Sequence, residues 1–423
     1  MSSDAAGLIA RADLDAARAA VRGTAVRTPT LACPELAPDR GGTVLLKAEC
    51  LQGTGSFKLR GALSKVAALG DGADAGLVTA SAGNHGRAVA QAARSKGLAC
   101  EVFMPLDAAA SKLAAVEALG ARVHLAGASV DEALELAERR ASESGGVFVH
   151  PFDDLEVIAG QGTLALELLE DVPDLARVVV PVGGGGLAGG VGIALRRAGS
   201  RAQLVGVQAR ACAPYVSALA RLRPDRAGDG GAPALEALEP ASGATIADGI
   251  AIKRPGVLTL ALLDGLLDDL ETVTEEEIAD AMVILAERHK LVVEGAGAVA
   301  LAALRSGRLP AIAGTTVAIV SGGNVDSGLL AGLLLRHETE EGRRVRLFTR
   351  VPDRPGGLAE LLGLVAGARA NLVSVEHVRE AVDLHVRETG IALTLQTRGR
   401  RHTEELLGAL EAAGYEVRTT RGP

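Results

Sequence analysis

The apolar run Val178-Val179-Val180-Pro181-Val182 leads directly into four consecutive glycines, Gly183 to Gly186, and then into Leu187-Ala188-Gly189-Gly190. Few folds accommodate a strand, a stretch of bare backbone and a helix in that order. The arrangement points backbone N–H groups outward at a helix N-terminus, which makes a cradle for phosphate. Gly184, Gly186 and Gly189 also satisfy the GxGxxG spacing of dinucleotide sites. That reading needs an acidic residue about twenty positions on to hold a ribose. Here the next strand, Gln203 to Val207, ends in Gln208, and an NADP variant through Arg210 is a weak alternative. Four glycines in a row suit a compact monophosphate wrapped by successive amides. A tight turn without a ligand is the competing structural reading.

The remainder of the chain supports parallel sheets. Short β-branched or apolar runs are spaced among alanine-rich helical stretches: Val44-Leu45-Leu46, Gly76 to Thr79, Cys100 to Met104, Ala121 to Leu125, Arg177 to Val182, Gln203 to Gln208 and Thr316 to Val320. Helices are expected near Lys112 to Leu119 and Val130 to Ser142. Strand, helix, strand at this spacing predicts an α/β fold with right-handed crossovers. Leu222 to Gly243, rich in Pro, Gly, Asp and Arg, reads as a long surface connection. The charged run Arg336 to Gly342 marks a second boundary, so residues 1–336 are expected as a catalytic domain, 337–342 as a linker and 343–423 as a further module. In that module, strands at Val345 to Val351, Asn371 to Val378, Gly390 to Gln396 and Tyr415 to Thr419 alternate with helices at Leu358 to Ala366 and Glu404 to Ala413. The order is βαββαβ, ferredoxin-like.

Composition narrows the partners. A net charge of -8 argues against nucleic acid and anionic membranes, and 2% aromatics with no Trp leaves few stacking platforms for bases. Hydrophobic residues make up 48%, so the core is aliphatic. Cys33, Cys50, Cys100 and Cys212 contain no CxxC pair, so spacing indicates neither a zinc site nor a redox dithiol, and no metal is expected. Scattered cysteines fit a reducing cytoplasm, and Met1-Ser2-Ser3-Asp4 carries no basic region ahead of an apolar stretch. The apolar run Leu329 to Leu335 is too short to span a bilayer.

Lys58 lies in Ser56-Phe57-Lys58-Leu59-Arg60-Gly61, among small residues and one aromatic rather than among polar neighbours. A desolvated lysine loses proton affinity and becomes an amine nucleophile, the condition for a Schiff base with pyridoxal phosphate. The plain alternative is a solvated lysine at a helix start. Ser81-Ala82-Gly83-Asn84-His85-Gly86 follows a strand and opens a helix, where its amides can hold a carboxylate. Ser321-Gly322-Gly323-Asn324-Val325-Asp326 follows another strand and offers a hydroxyl to a pyridine nitrogen. Alone, each of the last two is a weak signal.

Taken in order, these motifs resemble the fold-type II (tryptophan synthase β-like) pyridoxal-phosphate enzymes, and among them the threonine/serine dehydratases. The resemblance runs from Val26-Arg27-Thr28-Pro29-Thr30 through Met104-Pro105, Lys112 and Gly120-Ala121, then Ala247-Asp248-Gly249-Ile250 and Glu294-Gly295-Ala296-Gly297-Ala298, to Ser321-Asp326. It implies that Lys58 binds the cofactor and takes the Cα proton, that Phe57 packs beside the ring, and that Asn84 bonds its 3′ oxygen. It further implies Gly183, Gly184, Gly185, Gly186 and Leu187 on the phosphate, Ser321 at the pyridine nitrogen, and Ser81, Ala82, Gly83, Asn84 and His85 on the substrate carboxylate. His85 reads as structural rather than as a base. A neutral serine leaves the pyridine nitrogen unprotonated, which favours expulsion of a β-hydroxyl. The implied reaction is dehydration and deamination of L-threonine to 2-oxobutanoate, with L-serine as a second substrate.

Two departures shape the reading. Serine racemases, which resemble this family, carry serine where Ala82 stands, so racemisation should be minor. They also carry a glutamate metal ligand where Gln208 lies, which puts a divalent site there in doubt. The alternatives are a serine- or hydroxyaspartate-specific dehydratase, a racemase of the same fold, or a non-catalytic amino-acid sensor. Val351 to Ala359 with Ala370-Asn371-Leu372 and His377-Val378-Arg379 resembles an ACT domain, with Asp353, Gly356, Gly357 and Asn371 implied at a regulatory amino-acid site. An oligomerisation module is the alternative. The family implies a homodimer or homotetramer. A role in isoleucine formation and one in amino-acid breakdown both stay open.

Overall fold

In the computed structural model, residues 3–36, 42–70, 72, 74–222, 243–379 and 387–419 are described. The connection expected from Leu222 to Gly243 lies, apart from its two ends, outside them. The chain forms two compact units, Met1–Val325 and Asp326–Pro423.

The first unit starts one sheet, leaves it for another and returns. It lays down β1 (Thr30–Ala32) and β2 (Thr43–Ala48). A second sheet follows from β3 (Leu77–Ala80), β4 (Cys100–Met104), β5 (Arg122–Leu125) and β6 (Val147–Phe148). The first sheet is then completed by β7 (Leu175–Pro181), β8 (Gln203–Ala209), β9 (Asp269–Val273) and β10 (Thr315–Val320). The six-stranded order is β1-β2-β10-β7-β8-β9, and the four-stranded order is β5-β4-β3-β6. All pairings are parallel except β1 with β2. The central strands β10 and β7 are buried almost throughout, as the near-continuous Val/Ile content of a parallel sheet covered on both faces requires. The expected α/β architecture is therefore present. The edge strand β9, Asp-Leu-Glu-Thr-Val, is half polar and only its last residue is buried, so its sequence carries no strong strand signal. Helix Gly295–Arg305 packs against β7, β8, β9 and β10, and helix Glu275–Glu287 packs on that helix in turn.

Helix Leu155–Asp171 organises the interior. A Cβ on Gly160 would lie 2.5 Å from the Arg60 carbonyl oxygen, and one on Gly61 would lie 2.2 Å from Gln161 Nε2. On its other side, a Cβ on Gly190 would lie 2.2 Å from the Ile158 carbonyl oxygen. Missing side chains thus let helices Lys58–Ala68 and Gly186–Arg197 close on one central helix. In an aliphatic core at interior packing density, such contact leaves little freedom for either helix to shift.

A buried ionic cluster fixes the first of these contacts. Arg60 is fully buried; its Nε and Nη2 donate to both oxygens of Glu49 at 2.9 and 2.8 Å, and its Nη1 reaches Glu167 at 2.7 Å. Lys47, also fully buried, pairs with Glu167 at 2.6 Å. Burial would push the Glu49 carboxyl up, but the Arg60 charge and its hydrogen bonds hold it below the usual carboxylate range.

The second unit has β11 (Arg344–Pro352), β12 (Asn371–Val378), β13 (Glu388–Gln396) and β14 (Arg418–Thr419), antiparallel in the order β12-β13-β11-β14. Helices Gly357–Gly367 and Arg400–Ala412 cover a core of Val345, Leu347, Leu361, Leu393, Leu406 and their neighbours. This is the expected βαββαβ order. The expected linker at 337–342 is corrected in part: helix Ser327–Glu340 runs through most of it, and the division between units falls at Val325. The charged residues there extend a helix, with Arg336 pairing Glu340 one turn on at 2.7 Å. The helix expected from Glu404 begins earlier, at Arg400, directly after Gly399 at φ +128°.

Candidate active site

Carboxyl ends of parallel strands are where ligands bind in open α/β sheets. The segments that follow β2, β3, β6, β7 and β10 line one cavity of about 330 Å³. Its walls include Phe57, Lys58, Ser81, Ala82, Gly83, Asn84, His85, Gly183, Gly184, Gly185, Gly186, Leu187 and Ser321. Every residue singled out in the first unit as binding or catalytic therefore borders the same space, although they are spread over more than half the chain.

Lys58 is the first residue of its helix and also faces the cavity, so its helix-start position and its burial go together. Its Nζ donates to the Pro151 carbonyl at 2.7 Å and lies 5.3 Å from the Phe57 ring centroid. Desolvation lowers its pKa to about 8, against a smaller opposing pull from Glu294. An amine in that range is unprotonated often enough near neutral pH to act as nucleophile or base. The Lys58 loop is laced to the Ser321 loop: Phe57 N donates to Ser321 O at 3.1 Å, and Gly323 N to Gly55 O at 2.8 Å.

The glycine loop fits a phosphate. Gly185 adopts φ +87° as the N-cap of helix Gly186–Arg197. The amides of Gly183, Gly184 and Gly185 donate to no acceptor among the described residues, and all three border the cavity. A Cβ on Gly184 would sit 2.1 Å from the Phe152 ring, and one on Gly185 2.5 Å from Tyr215 Oη. Tyr215 Oη in turn donates to the Gly184 carbonyl at 2.8 Å, turning that oxygen away from an anion. Free amides at a helix N-terminus, a half-buried amine and a hydroxyl at the third loop match the donor set that pyridoxal phosphate requires.

Gln208 settles the competing reading of the glycines. It is fully buried, its Nε2 donates to Val182 O at 3.1 Å, and its Oε1 accepts from the Tyr215 and Val216 amides at 3.0 and 3.3 Å. Its oxygen is committed to two backbone amides, so Gln208 offers no free acceptor for the ribose hydroxyls that an acidic residue would hold.

The second loop begins helix Asn84–Lys96, with Gly83 as N-cap and the Ser81 hydroxyl accepting from Gly83 N at 3.0 Å. His85 Nε2 donates to Val149 O at 3.0 Å, and burial lowers its pKa to about 3, so it is a neutral, structural imidazole. Asn84 Nδ2 donates to Glu294 Oε1 at 2.6 Å, while its Oδ1 accepts from Asn324 Nδ2 at 2.6 Å. Arg87 donates to Asn324 Oδ1 at 2.6 Å. Ser321 is buried, and its hydroxyl, which donates to Ala296 O at a long 3.3 Å, can turn to donate to a cavity partner instead.

Several contributors escape a reading of the sequence. Glu294 is visible there only as part of a motif, yet it is almost fully buried, and burial with the nearby Asp248 charge raises its pKa to about 7. The stretch His150-Pro151-Phe152-Asp153 joins three parts of the site. Pro151 holds Lys58, Phe152 underlies Gly184, and Asp153 Oδ1 accepts from Thr259 N at 3.0 Å. His150 Nδ1 accepts from Asp153 N at 2.8 Å, and burial lowers its pKa to about 4. No motif spacing announces such a loop. At the cavity, Lys112 pairs with Asp248 at 2.7 Å and Lys253 with Asp131 at 3.1 Å.

The four residues expected at a regulatory site belong to the second unit. Gly356 takes φ +96° as N-cap of helix Gly357–Gly367. Asp353 is exposed and lies 3.5 Å from Arg379, and Asn371 Nδ2 donates to Gln396 Oε1 at 3.2 Å. Among the described residues, no helix is long and apolar enough to cross a membrane.

Comparison with known proteins agrees with this geometry. Residues 21–322 match the family described as pyridoxal-phosphate dependent enzyme. The chain is 43% identical over 413 residues to the L-threonine ammonia-lyase of Thermotoga maritima, covering 97% of this chain and 99% of that protein. The threonine deaminase of T.th. superposes with a TM-score of 0.65 at 38% identity, over 74% of this chain and 97% of its own. Maize serine racemase superposes with a TM-score of 0.67 at 32% identity, over 78% and 99%.

Proposed function

Since the chain belongs to the pyridoxal-phosphate-dependent enzyme family, we propose that it converts L-threonine to 2-oxobutanoate and ammonia, and also L-serine to pyruvate and ammonia. The observation that carries this is the placement of the Lys58 amine and the four-glycine cradle on one cavity. The likeness to L-threonine ammonia-lyase over nearly the full length supports the choice of substrate.

Pyridoxal phosphate, when bound, supplies an electron sink for the charge left at Cα as its proton departs. The chain does the rest. Gly183 to Leu187 hold the phosphate through backbone amides. Phe57 packs beside the ring, and Ser321 offers a neutral partner to the pyridine nitrogen. Ser81, Ala82, Gly83, Asn84 and His85 orient the substrate carboxylate at the start of helix Asn84–Lys96, where unpaired amides and the helix dipole favour an anion. Asn84, held from both sides by Glu294 and Asn324, has one amide hydrogen left for the cofactor's ring oxygen. Lys58 Nζ takes the Cα proton. The β-hydroxyl then leaves with a proton as water, and a later water hydrolyses the carbon–nitrogen bond to free ammonia. Ala82 presents no acid or base, so epimerisation at Cα is minor.

The second unit is proposed as an ACT-type module that binds an amino-acid effector at Asp353, Gly356, Gly357 and Asn371. A cytoplasmic homodimer or homotetramer completes the proposal; the four free, buried cysteines support a reducing compartment.

The deciding experiment measures 2-oxo acid release by the cofactor-loaded protein from L-threonine and L-serine, beside Lys58→Ala. Threonine turnover that falls by at least about 10²–10⁴-fold in the variant is the expected result. A cofactor-loaded wild type that turns over neither substrate would overturn the proposal.

A further inference from the structure

Away from the cavity, three side chains of metal-ligating type converge. Cys33 follows β1 and is fully buried. Glu35 sits in the single 3₁₀ turn Pro34–Leu36, and His289 lies two residues past helix Glu275–Glu287. His289 Nε2 is 3.7 Å from Cys33 Sγ and 2.8 Å from Glu35 Oε1, and all three ligand atoms lie within 4.8 Å of one another. None of the three borders the cavity.

The spacing matches a tetrahedral cation. With bonds of about 2.3 Å to sulfur and about 2.0–2.1 Å to nitrogen or oxygen, ligand atoms at the corners lie roughly 3.3–3.6 Å apart. The observed 3.7 and 2.8 Å bracket those values. The donor set is also selective: thiolate with imidazole favours Zn²⁺ or Co²⁺, whereas Mg²⁺ and Ca²⁺ prefer oxygen alone. The ligands stand on fixed backbone, with Cys33 N bonded to Val44 O at 2.9 Å, Leu36 N to Cys33 O at 3.2 Å and Leu291 N to Leu285 O at 2.9 Å. The side chains of His289 and Glu35 retain 8% and 21% exposure, so the cluster is not sealed from solvent.

We propose that Cys33 Sγ, Glu35 Oε1 and His289 Nε2 bind one Zn²⁺ per chain, with water as fourth ligand. The ion would join the segment after β1 to the segment that leads, five residues on from His289, into Glu294. Binding releases the Cys33 thiol proton to solvent and places the imidazole in its Nδ1-protonated tautomer. The site is thus a structural clip bound by a borderline divalent cation, distinct from the cofactor chemistry. Sequence spacing conceals it, because His289 lies 254 positions from Glu35.

The test uses the tag-free, cofactor-loaded full chain, equilibrated with ZnCl₂ and then dialysed into metal-free buffer. Elemental analysis should find about one Zn²⁺ per chain. Replacement by Co²⁺ should give the visible d–d bands of a tetrahedral thiolate site, at wavelengths where the cofactor is transparent. Cys33→Ser and Glu35→Gln should each lose the bound metal while keeping the cofactor. Should Cys33→Ser fail to fold, Glu35→Gln, a change at a partly exposed side chain, decides alone. Less than about a tenth of a Zn²⁺ per cofactor-loaded chain, or metal retained undiminished in Glu35→Gln, would overturn the proposal and leave a hydrogen-bonded cluster only.

Discussion

Gly185 and Gly356 make the same local structure in the two units. Each is a left-handed N-cap, at φ +87° and φ +96°, and each opens a helix of 12 or 11 residues. Their surroundings differ. Gly185 is buried, bordered by Tyr215, Thr259 and Leu263, and its neighbouring amides face the cavity. Around Gly356 a Cβ would meet only Glu360 Oε1, at 4.0 Å. A glycine-led helix start is therefore a statement about backbone conformation. What turns it into a site is the wall around it, contributed by residues distant in sequence.

Substituting alanine at both positions breaks this comparison most sharply. Gly356→Ala carries the left-handed penalty alone, about 1–2 kcal/mol, and should leave the cofactor loaded. Gly185→Ala adds an atom 2.5 Å from Tyr215 Oη, so the cradle must distort. Cofactor retained after gel filtration, read by its absorbance, should be lost in Gly185→Ala and unchanged in Gly356→Ala. Full retention by Gly185→Ala would remove the phosphate assignment.

The next effect in size concerns charge. The first unit buries Arg60 between Glu49 and Glu167, whereas the second keeps its ion pairs at the surface, as with Arg354 and Glu360 at 3.1 Å. Removing one partner of a buried pair strands the other charges, at a cost of about 3–5 kcal/mol. Arg60→Ala should lower the urea midpoint of the first unit accordingly. Arg354→Ala should move the second unit by no more than about 1 kcal/mol, less at high salt. Equal shifts would show that burial does not separate the two kinds of pair.

The same contrast explains what the sequence discloses. Contiguous signals are legible: the valine run before Gly183, the Ser81–Gly86 turn, the alternation that predicts parallel sheets, and the βαββαβ rhythm of the last residues. Each depends on neighbours a few positions apart. The pairing of Arg60 with Glu167, the Pro151 carbonyl that holds Lys58, and the contact of Asn84 with Glu294 depend on residues about 90 to 210 positions away. Only packing brings those together, and no local pattern encodes them. β9 escapes notice because an edge strand tolerates polar residues, and the linker is displaced because a charged run can equally extend a helix.

Glu294 offers a third test, with a pH signature. Burial raises its folded pKa to about 7 from an ordinary 4.5. Below 4.5 the carboxyl is neutral in both states and costs nothing. Between 4.5 and 7 the unfolded chain releases the proton while the folded chain keeps it, so the folded state binds more protons and stability falls as pH rises. Above 7 the full penalty stands, with a ceiling of roughly 3 kcal/mol. Glu294→Gln, which keeps an oxygen for Asn84, should therefore gain on the wild type from pH 4.5 to 7 and hold that gain above. The comparison is made on cofactor-free protein by thermal melts across pH. A difference independent of pH would show that the carboxyl is not held neutral by burial.

The smallest expected effect on stability lies at Asp353, and it separates fold from function in the second unit. Its carboxylate lies 3.5 Å from Arg379, with side-chain exposures of 44% and 62%, so solvent and salt screen the pair. Asp353→Ala should change stability by no more than about 0.5 kcal/mol. An amino-acid effector, by contrast, presents an ammonium that needs an anion, and the exposed amides near Gly356 can hold only its carboxylate. Calorimetric titration of the full chain with valine and isoleucine, which are not the proposed substrates, should give heat in the Lys58→Ala background and lose it when Asp353→Ala is added. Heat that survives the second change would place binding at the cavity of the first unit, and the turn at Gly356 would then be a helix start without a ligand.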